Sequence, residues 1–183
     1  MAYKGKRISN PVNNQTIEFI ATSKETRGEQ LEMLATWEPR SMKPAAHYHP
    51  YQDETFKVLE GELTLILNGK TLLLHQGESV HIPAKAVHAM WNNSKAKTVV
   101  NWKVFPAYKT EYFFETAMGL AMDGKTSKNG MPGILQFALL ARKYGNEFRL
   151  SRASYAFQRI LFWLLTPFAL AIGKRAVYQK YID

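Results

Sequence analysis

The chain has 183 residues, a formal charge of +9 and no cysteine. That length suits one domain, or one domain with a substantial extension, and 46% hydrophobic content lets it bury a core without covalent staples. The missing cysteines exclude disulfides and thiolate-held metals, so a protein-bound metal here must rest on imidazole and carboxylate.

The charge is uneven: residues 1–102 hold 12 Lys/Arg against 10 Asp/Glu, and residues 103–183 hold 12 against 5. A basic C-terminal part suits an acidic partner, a membrane surface or nucleic acid, but a solvated basic face is the leading reading because the basic residues are spread out. No nucleic-acid motif accompanies them, so no nucleic-acid partner is expected. The first ten residues carry positive charge with no apolar run behind them. They do not read as a signal peptide, and a cytoplasmic location is the expectation.

Residues 1–28 form an N-terminal segment expected to pair with the domain that follows. Residues 29–106 are a series of short β-type runs broken by turns. Leu31 to Trp37 is the first, closed by Pro39 and Pro44; Thr55 to Val58 leads into the Glu60-Gly61 turn. Leu63 to Leu67 and Thr71 to Leu74 flank Asn68-Gly69, the strongest hairpin signal in the chain. Ser79 to Ile82, Val87 to Trp91 and Thr98 to Val104 complete the set. Short strands at close, regular spacing imply an antiparallel sandwich or barrel. After Pro106 the period changes to a helical one: Tyr112 to Met122, Ile134 to Tyr144, and a stretch from Ser154 or Tyr155 to Ile172 that Pro167 should kink or break. Residues 107–183 are thus a helical extension, expected to pack on the β-domain or on a dimer partner.

Three of the five histidines join one glutamate in a pattern that carries chemistry. His47 and His49 are two apart, so on a strand both imidazoles share a face. Glu54 follows five residues later, and a hairpin would bring it opposite the histidine strand. His88 comes from a later strand. Three imidazoles and a carboxylate suit a borderline divalent ion: Fe, Mn, Ni, Cu or Zn. Two other histidines, His75 beside a turn and His81 on a strand, read as structural or exposed. Asp53 should face solvent by strand alternation.

The run His47-x-His49-x4-Glu54-x6-Gly61 resembles the first motif of the cupin superfamily, and Gly77-x5-Pro83-x4-His88-x3-Asn92 resembles the second. The resemblance covers residues 30–105. Ser41 and Lys85 stand where the motifs carry glycine; both are turn positions, and Lys85 would bring an ammonium near the site mouth. What the resemblance implies is a mainly β fold, a cupin-type antiparallel β-barrel of double-stranded β-helix (jelly-roll) form with C-terminal helices. It implies one metal held by His47, His49, Glu54 and His88. The Pro50/Gln52 pairing is also similar to that of cupins related to flavonol dioxygenases.

Strand phase points Phe56, Val58 and Met90 inward, with Trp37 and Trp102 adding to the lining, so a small, partly apolar ligand is expected. The first functional expectation is a metal-dependent enzyme acting on a small organic molecule, with dioxygenase-like chemistry and Glu54 as a candidate base. The alternative is a non-catalytic binding module whose helical tail mediates dimerisation or partner contact. The uncharged run Ile160 to Ile172 is too short to span a bilayer. Packing on the β-domain or across a homodimer is the leading reading of that run, and membrane-surface contact through 155–175 the second.

Overall fold

The structure, a computed structural model, describes residues 1–182. Two antiparallel sheets face each other across a shared apolar core. One has six strands in the order β1-β2-β3-β10-β5-β8, the other five in the order β11-β4-β9-β6-β7. The first sheet contains β1 (Arg7–Asn10), β2 (Gln15–Ala21), β3 (Leu31–Trp37), β5 (Asp53–Glu60), β8 (Ser79–Ile82) and β10 (Thr98–Phe105). The second contains β4 (His47–Tyr48), β6 (Glu62–Leu67), β7 (Lys70–His75), β9 (His88–Trp91) and β11 (Arg149–Leu150). This is the double-stranded β-helix arrangement. The ladders do not join the two sheets into one ring, so the expected barrel takes the form of a sandwich.

Alternation explains why these segments are strands. In β3 the residues Leu31, Met33, Ala35 and Trp37 point inward, and in β10 Thr98, Val100, Trp102 and Val104 do the same. The two rows meet in register, with Trp102 opposite Met33 on one side and Phe56 of β5 on the other. Each fully buried aliphatic or aromatic side chain in this layer contributes about 1.5–3 kcal/mol. The N-terminal strands extend the six-stranded sheet, β2 pairing with β3 and β1 with β2. On the other sheet, Asn68-Gly69 sits at the tip of the β6–β7 hairpin with both residues at positive φ, as such a turn needs.

The helices follow: α1 (Thr110–Met122), α2 (Ile134–Lys143), α3 (Tyr155–Ala171) and the short α4 (Gln179–Ile182). Met118 of α1 belongs to the sheet core, with Phe114 packed against it. The ion pair Lys6–Glu115, 2.6 Å with the carboxylate fully buried, ties α1 to the N-terminal segment. α3 packs on α2, and Phe162 meets Phe137 at 5.5 Å between ring centroids. One expectation needs correcting: Pro167 does not break α3, which runs unbroken through it; the cost is one absent donor and an unmet carbonyl one turn back. Besides α2, α3 touches β11, where Gln158 Nε2 donates to the Leu150 carbonyl at 2.9 Å, and its opposite face, from Phe157 to Ile172, is exposed.

Candidate metal centre

His47 and His88 lie directly opposite each other in the β4–β9 ladder, a pairing that places neighbouring side chains on one face. His49 follows just beyond β4. Glu54 stands on the inward row of β5 with Phe56 and Val58, paired with Ile82 and Val104. It therefore reaches the histidines from the opposite sheet, across the interior, and not through a hairpin with the histidine strand. The reason is topological: the turn at Pro50–Gln52 carries the chain from one sheet to the other.

The four groups converge. Ligand nitrogens of His47, His49 and His88 all lie within 4.8 Å of one another. Glu54 Oε2 is 3.2 Å from His49 Nε2 and 2.9 Å from His88 Nε2. Glu54 and His88 are each 1% exposed and His49 6%.

Each imidazole is oriented by a backbone carbonyl. His47 Nδ1 lies 3.0 Å from the Ala45 oxygen, His88 Nδ1 2.9 Å from the Ala86 oxygen, and His49 Nδ1 bonds the Glu147 oxygen. A carbonyl only accepts, so each Nδ1 carries the hydrogen and each Nε2 presents a lone pair. The Nε2 atoms of His49 and His88 and Oε2 of Glu54 are buried without hydrogen-bond partners. Three lone-pair donors facing one point repel unless a cation sits among them. This donor set fits a divalent metal, and the Nδ1–carbonyl bonds are the supporting contacts that metal-binding histidines require.

The charge states agree. Burial works against ionising Glu54, but His49 and His88 outweigh it and hold the carboxyl well below the usual carboxylate range. Burial, helped by His88 and His49, pushes His47 down to about 3, so it is neutral and ready to ligate. Burial also opposes charge on His49, yet the facing Glu54 carboxylate raises its pKa.

The remaining predicted positions divide. Trp37, Met90 and Trp102 line a cavity of about 180 Å³ that opens onto His47 and His49. Trp102 also donates from Nε1 to Glu54 Oε1 at 2.9 Å. Phe56 and Val58 are fully buried in the sheet core and are not part of the cavity wall. His75 and His81 are exposed, their side chains beside Glu62 and Asp53. Asp53, 44% exposed at its side chain, also accepts a bond from the Ala84 amide.

Sequence reasoning missed the cavity roof, which comes from the helical extension. Phe148 stacks on His47 at 4.8 Å between ring centroids, and Phe113 stacks on Phe148 at 5.2 Å. Phe114, Met118 and Met131 complete this wall. No motif marks these residues. For Phe113, Phe114 and Met118 the only signal is the apolar periodicity of α1, which does not say what it covers, and Met131 and Phe148 lie in connecting segments with no periodic signal.

The motif residues that hold no metal hold the frame. Asn92 Nδ2 donates to the carbonyls of Trp37, Glu38 and Ala96, and its amide donates to Ser41 Oγ. The serine thus serves this turn where the motif carries glycine. Buried Gln52 donates to the Pro106 carbonyl and to Thr110 Oγ1, both at 2.8 Å, fixing the start of α1. A Cβ at Gly61 would lie 2.3 Å from the Lys97 carbonyl, so that glycine is obligatory.

Comparison with known proteins agrees with this geometry. Residues 33–102 match the family profile described as Cupin domain. Over 76 residues the chain is 34% identical to quercetin 2,3-dioxygenase of Bacillus subtilis (strain 168), covering 42% of this chain and only 22% of that enzyme's length. It is 28% identical over 102 residues to an uncharacterized protein of Aquifex aeolicus (strain VF5), covering 51% of this chain and 84% of that one. Among solved structures, a predicted oxalate decarboxylase of Thermotoga maritima superposes with a TM-score of 0.50 at 17% identity, covering 58% of this chain and 99% of the other. This last likeness is one of fold. What these comparisons show is that residues 33–102 of this chain resemble the cupin domain.

Proposed function

We propose that this protein is a metal-dependent cupin enzyme acting on a small, largely apolar organic molecule, with dioxygenase-type chemistry the first reading. The observation that carries the proposal is the convergence of unpartnered Nε2 lone pairs on Glu54 Oε2. The 34% match to a quercetin dioxygenase supports the choice of reaction. His47, His49, Glu54 and His88 would hold a single divalent transition ion, one of Fe, Mn, Ni, Cu or Zn. When bound, it supplies Lewis-acid or one-electron redox chemistry at the cavity floor.

The protein's own groups do the rest. Trp102 fixes Glu54 through Oε1 and leaves Oε2 for the centre. With its proton affinity held low, Glu54 acts first as an anionic ligand, and a role as base requires it to leave the centre. Trp37, Met90, Phe113, Phe114 and Phe148 exclude water and favour an apolar ligand. At about 180 Å³ the cavity lies below the roughly 300–1,000 Å³ of sites for drug-sized ligands. That favours a one-ring or short-chain substrate over a three-ring flavonol.

Oxygen uptake by metal-loaded protein, measured with single-ring catechols, short enolisable ketones and quercetin, tests this. Metal-dependent uptake with a small substrate, lost in His88→Ala, is the expected result. Ligand binding without turnover under every metal would replace the enzyme reading with that of a binding module.

A further inference from the structure

α3 uses one face and leaves the other bare. Phe162 packs on Phe137 of α2 and Ala169 is also buried, whereas Phe157, Ile160, Trp163, Leu164, Phe168 and Ile172 are all exposed, Trp163 by 63% and Phe168 by 64%. At 100° per residue these exposed positions form a continuous arc, and the one charged residue on the helix, Arg159, lies at its edge. Contiguous apolar surface of this kind marks an interaction site.

The charge around the arc indicates what covers it. Residues 148–182 contain six Lys/Arg and no Asp/Glu. Arg149, Arg152, Arg159, Lys174 and Arg175 form no ion pair with a carboxylate among the described residues. Arg142, Arg149 and Arg159 also border a groove of about 590 Å³ between α2, β11 and α3, whose wall includes Trp163 and Phe148. Arg149 is held there by stacking 3.5 Å over the Tyr155 ring and by donating to the Gly145 carbonyl. A second copy is a poor occupant. An antiparallel α3 pair would bring Arg152 and Arg159 of one copy near Lys174 and Arg175 of the other, with no acidic residue in the segment to offset them. No helix among the described residues is long and apolar enough to cross a membrane.

We propose that the exposed face of α3, with its bordering arginines and lysine, docks flat on an anionic lipid bilayer. The apolar arc enters the boundary between headgroups and acyl chains, Trp163 sits at the interface beside Arg159, and the arginine groove receives lipid phosphate. Phe148 lines both this groove and the metal-site cavity, so the docking surface lies next to the site.

The test is flotation of the full chain with vesicles of phosphatidylcholine alone and of phosphatidylcholine with phosphatidylglycerol, at low and high salt, with the oligomeric state measured in parallel. The proposal expects binding to the anionic vesicles, at least about tenfold weaker on the neutral ones and weakened by salt. Removing one charge by Arg159→Gln should weaken binding about fivefold. Trp163→Ser with Phe168→Ser should abolish binding while leaving the circular dichroism unchanged, since both side chains are largely exposed. Equal binding to both vesicle types, or binding to neither, would overturn it. So would a dimer that Trp163→Ser dissociates into monomers that ignore anionic vesicles; the face would then belong to a second copy.

Discussion

Lys85 adopts φ +70°, in the left-handed region where a side chain costs about 1–2 kcal/mol, while its amide donates to the His49 carbonyl at 2.7 Å. Glycine at this motif position avoids that strain. Lys85→Gly should therefore raise stability by about 0.5–1 kcal/mol, after the extra freedom glycine gives the unfolded chain, and thermal denaturation would show it. A lower melting temperature would mean that the lysine side chain makes a stabilising contact worth more than the strain. Trp102 presents a different case. Its indole holds Glu54 in place, so Trp102→Phe keeps the apolar packing and frees the carboxylate. Supporting groups of this kind are worth about 10–100-fold in metal affinity. Titration with a competing chelator should show a loss in that range, and unchanged affinity would remove Trp102 from the site's support.

At the scale of elements, α3 carries Pro167 inside an unbroken helix. An interior proline costs about 3 kcal/mol through its missing donor and its clash with the preceding turn. Pro167 is itself exposed, so Pro167→Ala should stabilise α3, and slower amide exchange around Trp163 would register it. The helix was legible from its apolar periodicity, but its partner was not, because a helix apolar nearly all round gives no preferred face. The strands were easier: alternation in β3, β5 and β10 and the Asn68-Gly69 turn are local signals, and their bounds came within about two residues of the observed ones. The four candidate ligands were legible as spacings. What spacing does not encode is the sheet each belongs to, and so Glu54 was expected across a hairpin when it stands across the core. The roof escaped for a similar reason, since Phe148 reaches His47 from a segment about a hundred residues further on.

For the molecule as a whole, two sheets bury the core and the centre sits between them, with helical residues closing the top. Since the apolar sandwich supplies the stability, metal binding and folding should be separable at this chain length. Acid should separate them as well. His49 must be unprotonated to ligate, and its proton is held more tightly than that of a free imidazole by Glu54. Metal affinity should then fall on acidification, beginning above the ordinary histidine pKa near 6.5, while far-ultraviolet circular dichroism stays constant. Affinity independent of pH between about 5 and 8 would contradict proton competition at His49.

The central claim is that His47, His49, Glu54 and His88 form one metal site. Elemental analysis of the purified protein, before and after reconstitution, tests it most directly when set beside His88→Ala. The account predicts about one equivalent of a divalent transition metal in the wild type, and its loss in a variant that remains folded. A wild type that takes up no transition metal, or a folded His88→Ala that keeps full occupancy, would contradict it.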